Sequence, residues 1–224
     1  MLNLLLVDTE LEIVPKIMAD DYAIRINAKK RKKPASKLLL DSNFMHAAIE
    51  RYFPSESNRR GRPDIVYHFL EVAMESILNK KGEMRVWIHT RNNLIVELNP
   101  QVRLPKSYNR FVGLMEDLFD KGQIIGPDGF LLRLHDGDFK TLLELSGHSK
   151  PVILSPKGTR TNIRKVFDVS GKDTSVIIGG FSEGDFRSPV YDLGHGYSIF
   201  DEELTIWAVG MELICQYERD FNIV

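Results

Sequence analysis

The chain has 224 residues, 43% hydrophobic and 27% charged, with a formal net charge of −1. That length suits one domain, or one domain with an insertion, with enough apolar residues for a full core. The near-zero charge excludes a global pull toward polyanions, the single cysteine excludes an intrachain disulfide or a cysteine zinc site, and no apolar run approaches the ~18 residues of a membrane span.

Leu2–Val7 is apolar but short and lacks a basic leader, so it reads as a buried first strand rather than a signal peptide. Leu11, Val14, Ile17 and Met18 predict a helix capped by Thr9, with Pro15 an awkward guest inside it. Lys29-Lys-Arg-Lys-Lys33 reads as a solvated, mobile loop ended by Pro34, a form also suited to phosphate contact. Leu38–Leu40 reads as a second strand, and Asp41 or Ser42 caps a helix through Arg51. Strand, helix, strand, helix points to a parallel α/β sheet.

Pro63 and Asp64 suit the first turn of a helix that continues through Ile65, Phe69, Val72, Ala73 and Ile77. Arg59, Arg60 and Arg62 then project from a helix entrance, where arginine's planar fork of donors suits phosphate and base edges, or is simply solvated. Asp64 is close enough to orient Arg62. Met84–Thr90 and Asn93–Leu98 read as paired strands. A proline-stiffened loop carries Arg103 and Lys106 into a helix that begins near Arg110 and shows Phe111, Leu114, Met115, Leu118 and Phe119 on one face. Two basic helix entrances with aromatics between them make an RNA surface. Gly126-Pro-Asp-Gly129 is a turn before a strand at 130–134, and residues 136–148 fit either helix or extended structure.

Val152–Leu154 is a short strand entering Ser155-Pro-Lys-Gly-Thr159, and a short helix follows around 163–167. Val176–Ile178 is another, followed at once by Gly179, Gly180 and Gly184. Such a junction is a ligand cradle or a plain turn. Leu204, Trp207, Ala208, Met211, Ile214 and Cys215 predict a final helix with one apolar face, and Asp201, Glu202 and Glu203 in its first turn. Those acids disfavour a phosphate, and Phe181 breaks the dinucleotide glycine pattern, so a cationic or neutral ligand is expected. Ser182 sits in a G-x-S-x-G frame, but the helix of a nucleophile elbow does not follow directly. His46, His68, His89, His135, His148 and His195 show no ligand spacing, and no metal site is expected.

Taken together, Arg62-Pro-Asp64, Trp87-Ile-His-Thr90, Glu97-Leu-Asn-Pro-Gln-Val-Arg103, Asn109-Arg-Phe-Val-Gly-Leu-Met115, Gly158-Thr159, Ile178-Gly-Gly-Phe-Ser-Glu-Gly184 and Tyr197-Ser-Ile-Phe200 resemble the ribosomal RNA pseudouridine-N1 methyltransferases, of the knotted SPOUT class, over nearly the whole chain. The resemblance implies a single α/β domain over residues 1–224, with a mostly parallel sheet flanked by helices, a C-terminal trefoil knot, a basic loop near 25–35 and a small insertion near 126–150. It implies S-adenosylmethionine bound by Thr159, by Gly179, Gly180, Phe181 and Gly184, and by Tyr197, Ser198, Ile199, Phe200, Asp201 and Glu202. It implies RNA contacts from Arg62, Arg103, Lys106 and Arg110, with Asp64 steadying Arg62. It further implies a cytoplasmic homodimer whose last helix lies at the interface, acting on small-subunit ribosomal RNA alongside other ribosome assembly proteins. The reaction would be in-line displacement by a ring nitrogen, with no general base assigned. The rival reading is an RNA-binding assembly factor without catalysis.

Overall fold

The computed structural model describes residues 1–147, 150–168 and 172–224. An eight-stranded sheet runs in the order β4-β5-β3-β2-β1-β7-β6-β8. Its strands are β1 (Leu2–Thr9), β2 (Met84–Thr90), β3 (Leu94–Leu98), β4 (Gln123–Gly126), β5 (Gly129–Asp136), β6 (Val152–Arg160), β7 (Thr174–Gly179) and β8 (Gly196–Ser198). From β2 through β8 the pairings are parallel, and β3, β4 and β5 add antiparallel strands at the other edge.

The helices are α1 (Tyr22–Arg31), α2 (Ser42–Tyr52), α3 (Pro63–Glu75), α4 (Ile77–Lys80), α5 (Tyr108–Lys121), α6 (Phe139–Ser146), α7 (Arg164–Asp168) and α8 (Ile206–Asp220). β1 shows why a central parallel strand is buried on both faces. Leu2, Leu4 and Leu6 enter the core with α3, α5 and α8, while Leu5 and Val7 enter a second core on the other face with Phe139 and Leu142 of α6. Gly210 lets α8 close on α3, since a Cβ there would sit 2.6 Å from the Phe69 ring.

Several expectations change. Residues 11–18 form no α-helix; only Lys16–Met18 make a short 3-10 turn. Thr9 ends β1 rather than capping a helix. The segment stays extended because the Val14 N–H donates to the Leu38 carbonyl at 2.9 Å and the Leu40 N–H to the Glu12 carbonyl at 2.8 Å. Leu38–Leu40 accordingly makes a single antiparallel bridge, Ile13 to Leu39, outside the main sheet. The basic run is not a loop through its first half: α1 continues to Arg31. Arg31 and Lys33 both bond the fully buried Glu116 carboxylate of α5, at 2.9 and 3.0 Å. Gly129–Asp136 form β5 and Phe139–Ser146 form α6, and His148 lies outside the described residues.

The final helix also starts later. Thr205 is its N-cap, so Asp201, Glu202 and Glu203 precede it and no acid occupies its first turn. Its buried face is Ile206, Gly210, Leu213, Ile214 and Tyr217. Of the stripe expected to be buried, Ile214 is, whereas Leu204 and Met211 are exposed and Trp207, Ala208 and Cys215 only half-buried.

Candidate active site and RNA-facing arginines

The parallel pairing of β6 with β7 stops at Leu154–Ile178, at the carboxyl side where an open α/β sheet offers its ligand crevice. A cleft of about 730 Å³, counted out to its open mouth, lies there between residues 154–156 of β6, the loop after β7 and the segment 197–204. Leu154, Ile178, Phe181, Ile199 and Ile206 give it apolar walls. Its charged lining is wholly acidic: Glu183, Asp185, Glu202 and Glu203. Such a lining suits a ligand with an apolar body and positive charge.

Of the residues expected to hold the ligand, Gly179, Phe181, Gly184, Tyr197, Ser198, Ile199, Phe200 and Glu202 line this cleft. Gly180 does not. Its N–H donates to the Val7 carbonyl at 2.8 Å, and a Cβ would strike Thr9 Cγ2 at 2.2 Å, so it packs the loop onto β1. Thr159 belongs to β6 and opens on a neighbouring hollow shared with Gly158 and residues 191–196. Asp201 points to Arg160 Nε at 2.9 Å. Gly184 has φ +85°, the left-handed region that favours glycine.

The loop is held by acids that local sequence patterns did not single out, and Arg59 and Arg60 turn inward onto them rather than projecting toward phosphate. Asp8 accepts from the N–H groups of Arg187 and Ser188, at 2.7 and 2.9 Å, and from the Ser188 hydroxyl at 2.6 Å. Glu10 Oε1 accepts from the Ser182 N–H at 3.3 Å and hydroxyl at 3.2 Å, and from Arg59 Nε at 3.3 Å. Arg59 stacks over the Phe181 ring at 4.0 Å and donates to the Asp185 carbonyl at 2.8 Å. Burial pushes the Glu10 carboxyl above its ordinary range, against the pull of Ser182 and Arg59. Its Oε2 is buried and finds no hydrogen-bond partner among the described residues. Arg60 forks onto the buried Glu12 at 3.0 and 2.7 Å. No local pattern marks Asp8, Glu10 and Glu12, because β1 is buried on both faces and Asp8, at φ +59°, interrupts the strand geometry before Glu10.

Glu10 also brings the two predicted surfaces together. Its N–H donates to the Gly180 carbonyl at 3.3 Å, and its carbonyl accepts from the Arg62 N–H at 3.2 Å. Arg62 is thus tied to the cleft loop through one residue. Asp64 takes its guanidinium in a two-pronged pair at 2.9 and 2.8 Å, which raises the arginine's proton affinity further. Tyr108 packs alongside and donates to Asp41 at 2.7 Å; burial and that bond push its phenol far above the ordinary value. Arg110 is exposed in the first turn of α5. Arg103 and Lys106 are set apart on a groove with Lys80, Lys81 and Glu75. Lys80, and behind it Lys106 and Arg103, hold the Glu75 carboxyl below its ordinary value. Among the described residues no group of three or more His, Cys, Asp or Glu could hold a metal ion, and no helix is long and apolar enough to cross a membrane.

Residues 4–218 match the model of the EMG1/NEP1 methyltransferase family. The chain belongs to that family. It is 49% identical to the "Ribosomal RNA small subunit methyltransferase Nep1" of Thermoplasma volcanium, over 100% of both chains. It is 47% identical to the protein of the same name from Thermoplasma acidophilum, over 98% of both. Among solved structures it resembles Archaeoglobus fulgidus Nep1 bound to S-adenosylhomocysteine, with a TM-score of 0.85, 32% identity and 98% of each chain covered. As a family member it is a methyltransferase, which sets a purely binding role aside.

Proposed function

We propose that the chain transfers a methyl group from S-adenosylmethionine to N1 of a pseudouridine in small-subunit ribosomal RNA. The observation that carries this is the apolar cleft with an all-acidic lining, joined through Glu10 to the Asp64-held Arg62. S-adenosylmethionine supplies an electrophilic methyl on a cationic sulfur, together with an ammonium group. The residues present fit it: four carboxylates offset positive charge, and Leu154, Ile178, Phe181, Ile199 and Ile206 wall the apolar body. Because the methyl is already activated, the protein's main task is alignment, which is worth on the order of 7–11 kcal/mol at best. Arg62, fixed by Asp64, stabilises the negative charge that develops on the uracil ring as N1 gives up its proton. A ring nitrogen must leave its stack or lie in a loop to be reached, and Arg62, Arg110, Arg103 and Lys106 grip the surrounding backbone.

The chain acts as a homodimer in the cytoplasm, among the proteins that assemble the small subunit. Support for the dimer is the half-open stripe Trp207, Met211 and Cys215 of α8, with Leu204 just before it, continued by the exposed Ile77. We read the C-terminal part as threaded into a trefoil knot. In support, backbone at Gly158 approaches Gly196 and Tyr197 so closely that a Cβ would lie 2.4 Å from the Gly196 carbonyl carbon. Titration calorimetry with S-adenosylhomocysteine tests the donor site. Binding by the native chain and none by a folded Gly184→Val variant is expected; binding retained by that variant defeats the assignment.

A further inference from the structure

Between Tyr22 and Pro34 the chain has no acid, and it carries Arg25, Lys29, Lys30, Arg31, Lys32 and Lys33. Arg31 and Lys33 are taken up by Glu116 and Asp117 of α5. The remaining cations flank a row of side chains with no core to fill. Tyr22 is 79% exposed and Ile26 47%, and one helical turn separates them on α1, with Arg25, Lys29 and Lys30 exposed alongside. Phe44, 54% exposed, lies on the neighbouring α2, held to α1 where Asn27 Nδ2 donates to the Phe44 carbonyl at 3.4 Å.

We propose that Tyr22 and Phe44, flanked by Arg25, Lys29 and Lys30, form a stacking platform for an unpaired stretch of RNA that runs on from the arginine surface. The inference rests on the RNA reading above. Flat aromatic faces among cations match a single-stranded nucleic acid, whose bases stack while its phosphates meet the charge. An apolar protein partner would have to strip water from three charged side chains beside the rings. The platform is continuous with the arginine surface through α2 and α5. Asp41 caps α2 and accepts from Tyr108, the first residue of α5; Phe44 lies in the first turn of α2 and Arg110 in that of α5. Arg110 and Phe44 thus lie at the adjoining N-terminal ends of α5 and α2.

Fluorescence anisotropy on two labelled probes tests this: a small-subunit hairpin containing the pseudouridine, and the same hairpin with ~8 unpaired nucleotides added at its 5′ or 3′ end. The native chain is expected to bind one extended probe about tenfold more tightly than the hairpin, the worth of a stacked base or two. Tyr22→Ala/Phe44→Ala and Lys29→Gln/Lys30→Gln should each lose that advantage while binding the bare hairpin as before. No advantage from either extension, or an advantage that survives Tyr22→Ala/Phe44→Ala, overturns the platform. Failure of the underlying RNA surface has a different signature: Arg62→Ala/Arg110→Ala would then leave bare-hairpin affinity unchanged.

Discussion

Replacing Gly158 by alanine should damage the donor site while leaving the fold standing. A Cβ at residue 158 would lie 2.4 Å from the Gly196 carbonyl carbon and 2.5 Å from the Tyr197 nitrogen, whereas ordinary contact begins at 3.4 Å. Both obstacles are backbone, so no side chain can swing aside, and one strand must retreat by about 1 Å. β8 is the short edge strand, paired with β6 at Thr159–Tyr197 and Arg160–Ser198, so it is the one to yield. Tyr197 and Ser198 then carry the cleft wall with them. Misplacement by about 1 Å in an aligned site costs on the order of 100-fold in rate, about 2.7 kcal/mol of transition-state stabilisation. Overpacking adds a loss of about 1–3 kcal/mol in stability. Calorimetry with S-adenosylhomocysteine, methyl-transfer kinetics and a thermal melt together read all three. Gly113→Ala, in α5 with nothing within 4 Å of the new Cβ, is the control and should gain about 0.5–1 kcal/mol with donor affinity unchanged. Native donor affinity and turnover in Gly158→Ala would refute the reasoning.

Other consequences can be measured in the same way. Arg60→Ala leaves Glu12 buried without its fork and should cost about 3–5 kcal/mol in urea unfolding; a loss below 1 kcal/mol would show the pair to be well solvated. For Glu10 the folded-state pKa is raised, so its stabilising contribution is complete below the ordinary value of 4.5 and disappears as pH rises through the raised one. Glu10→Gln should therefore gain stability relative to the native chain as pH rises above 4.5, and a melting-temperature difference moving the other way would contradict the burial argument. Arg62→Ala and Arg110→Ala should each weaken RNA binding and flatten the dependence of log affinity on log salt by about 0.9; an unaltered slope would mean that neither meets a phosphate.

How much could be read beforehand depended on whether an element's cause was local. Pro63 with Asp64, Asp41 before Ser42, and the β-branched run before Gly179 each carry their own start or stop signal, and α3, α2 and β7 begin or end where those signals stand. The stretch 11–18 failed because its apolar residues serve different neighbours. Leu11 enters the main core, Val14 and Met18 enter the small core under α1 and α2, and Ile17 faces water. Helical spacing there was a coincidence of two cores. α8 starts late, after Thr205, so the acids at 201–203 were misleading boundary markers. In the candidate site, the glycines and the 197–202 segment were visible as loop chemistry. Glu10 was not, because its partners Arg59 and Ser182 are distant in sequence and meet it only once β1 and β7 pair.

The central claim is that the acidic cleft presents a methyl group to N1 of pseudouridine. Its most direct test is incubation of the chain with methyl-labelled S-adenosylmethionine and small-subunit ribosomal RNA, followed by nucleoside mass spectrometry. The label should appear on N1 of pseudouridine and vanish when uridine occupies the same site. Label on another atom, equal label on uridine, or none would contradict it.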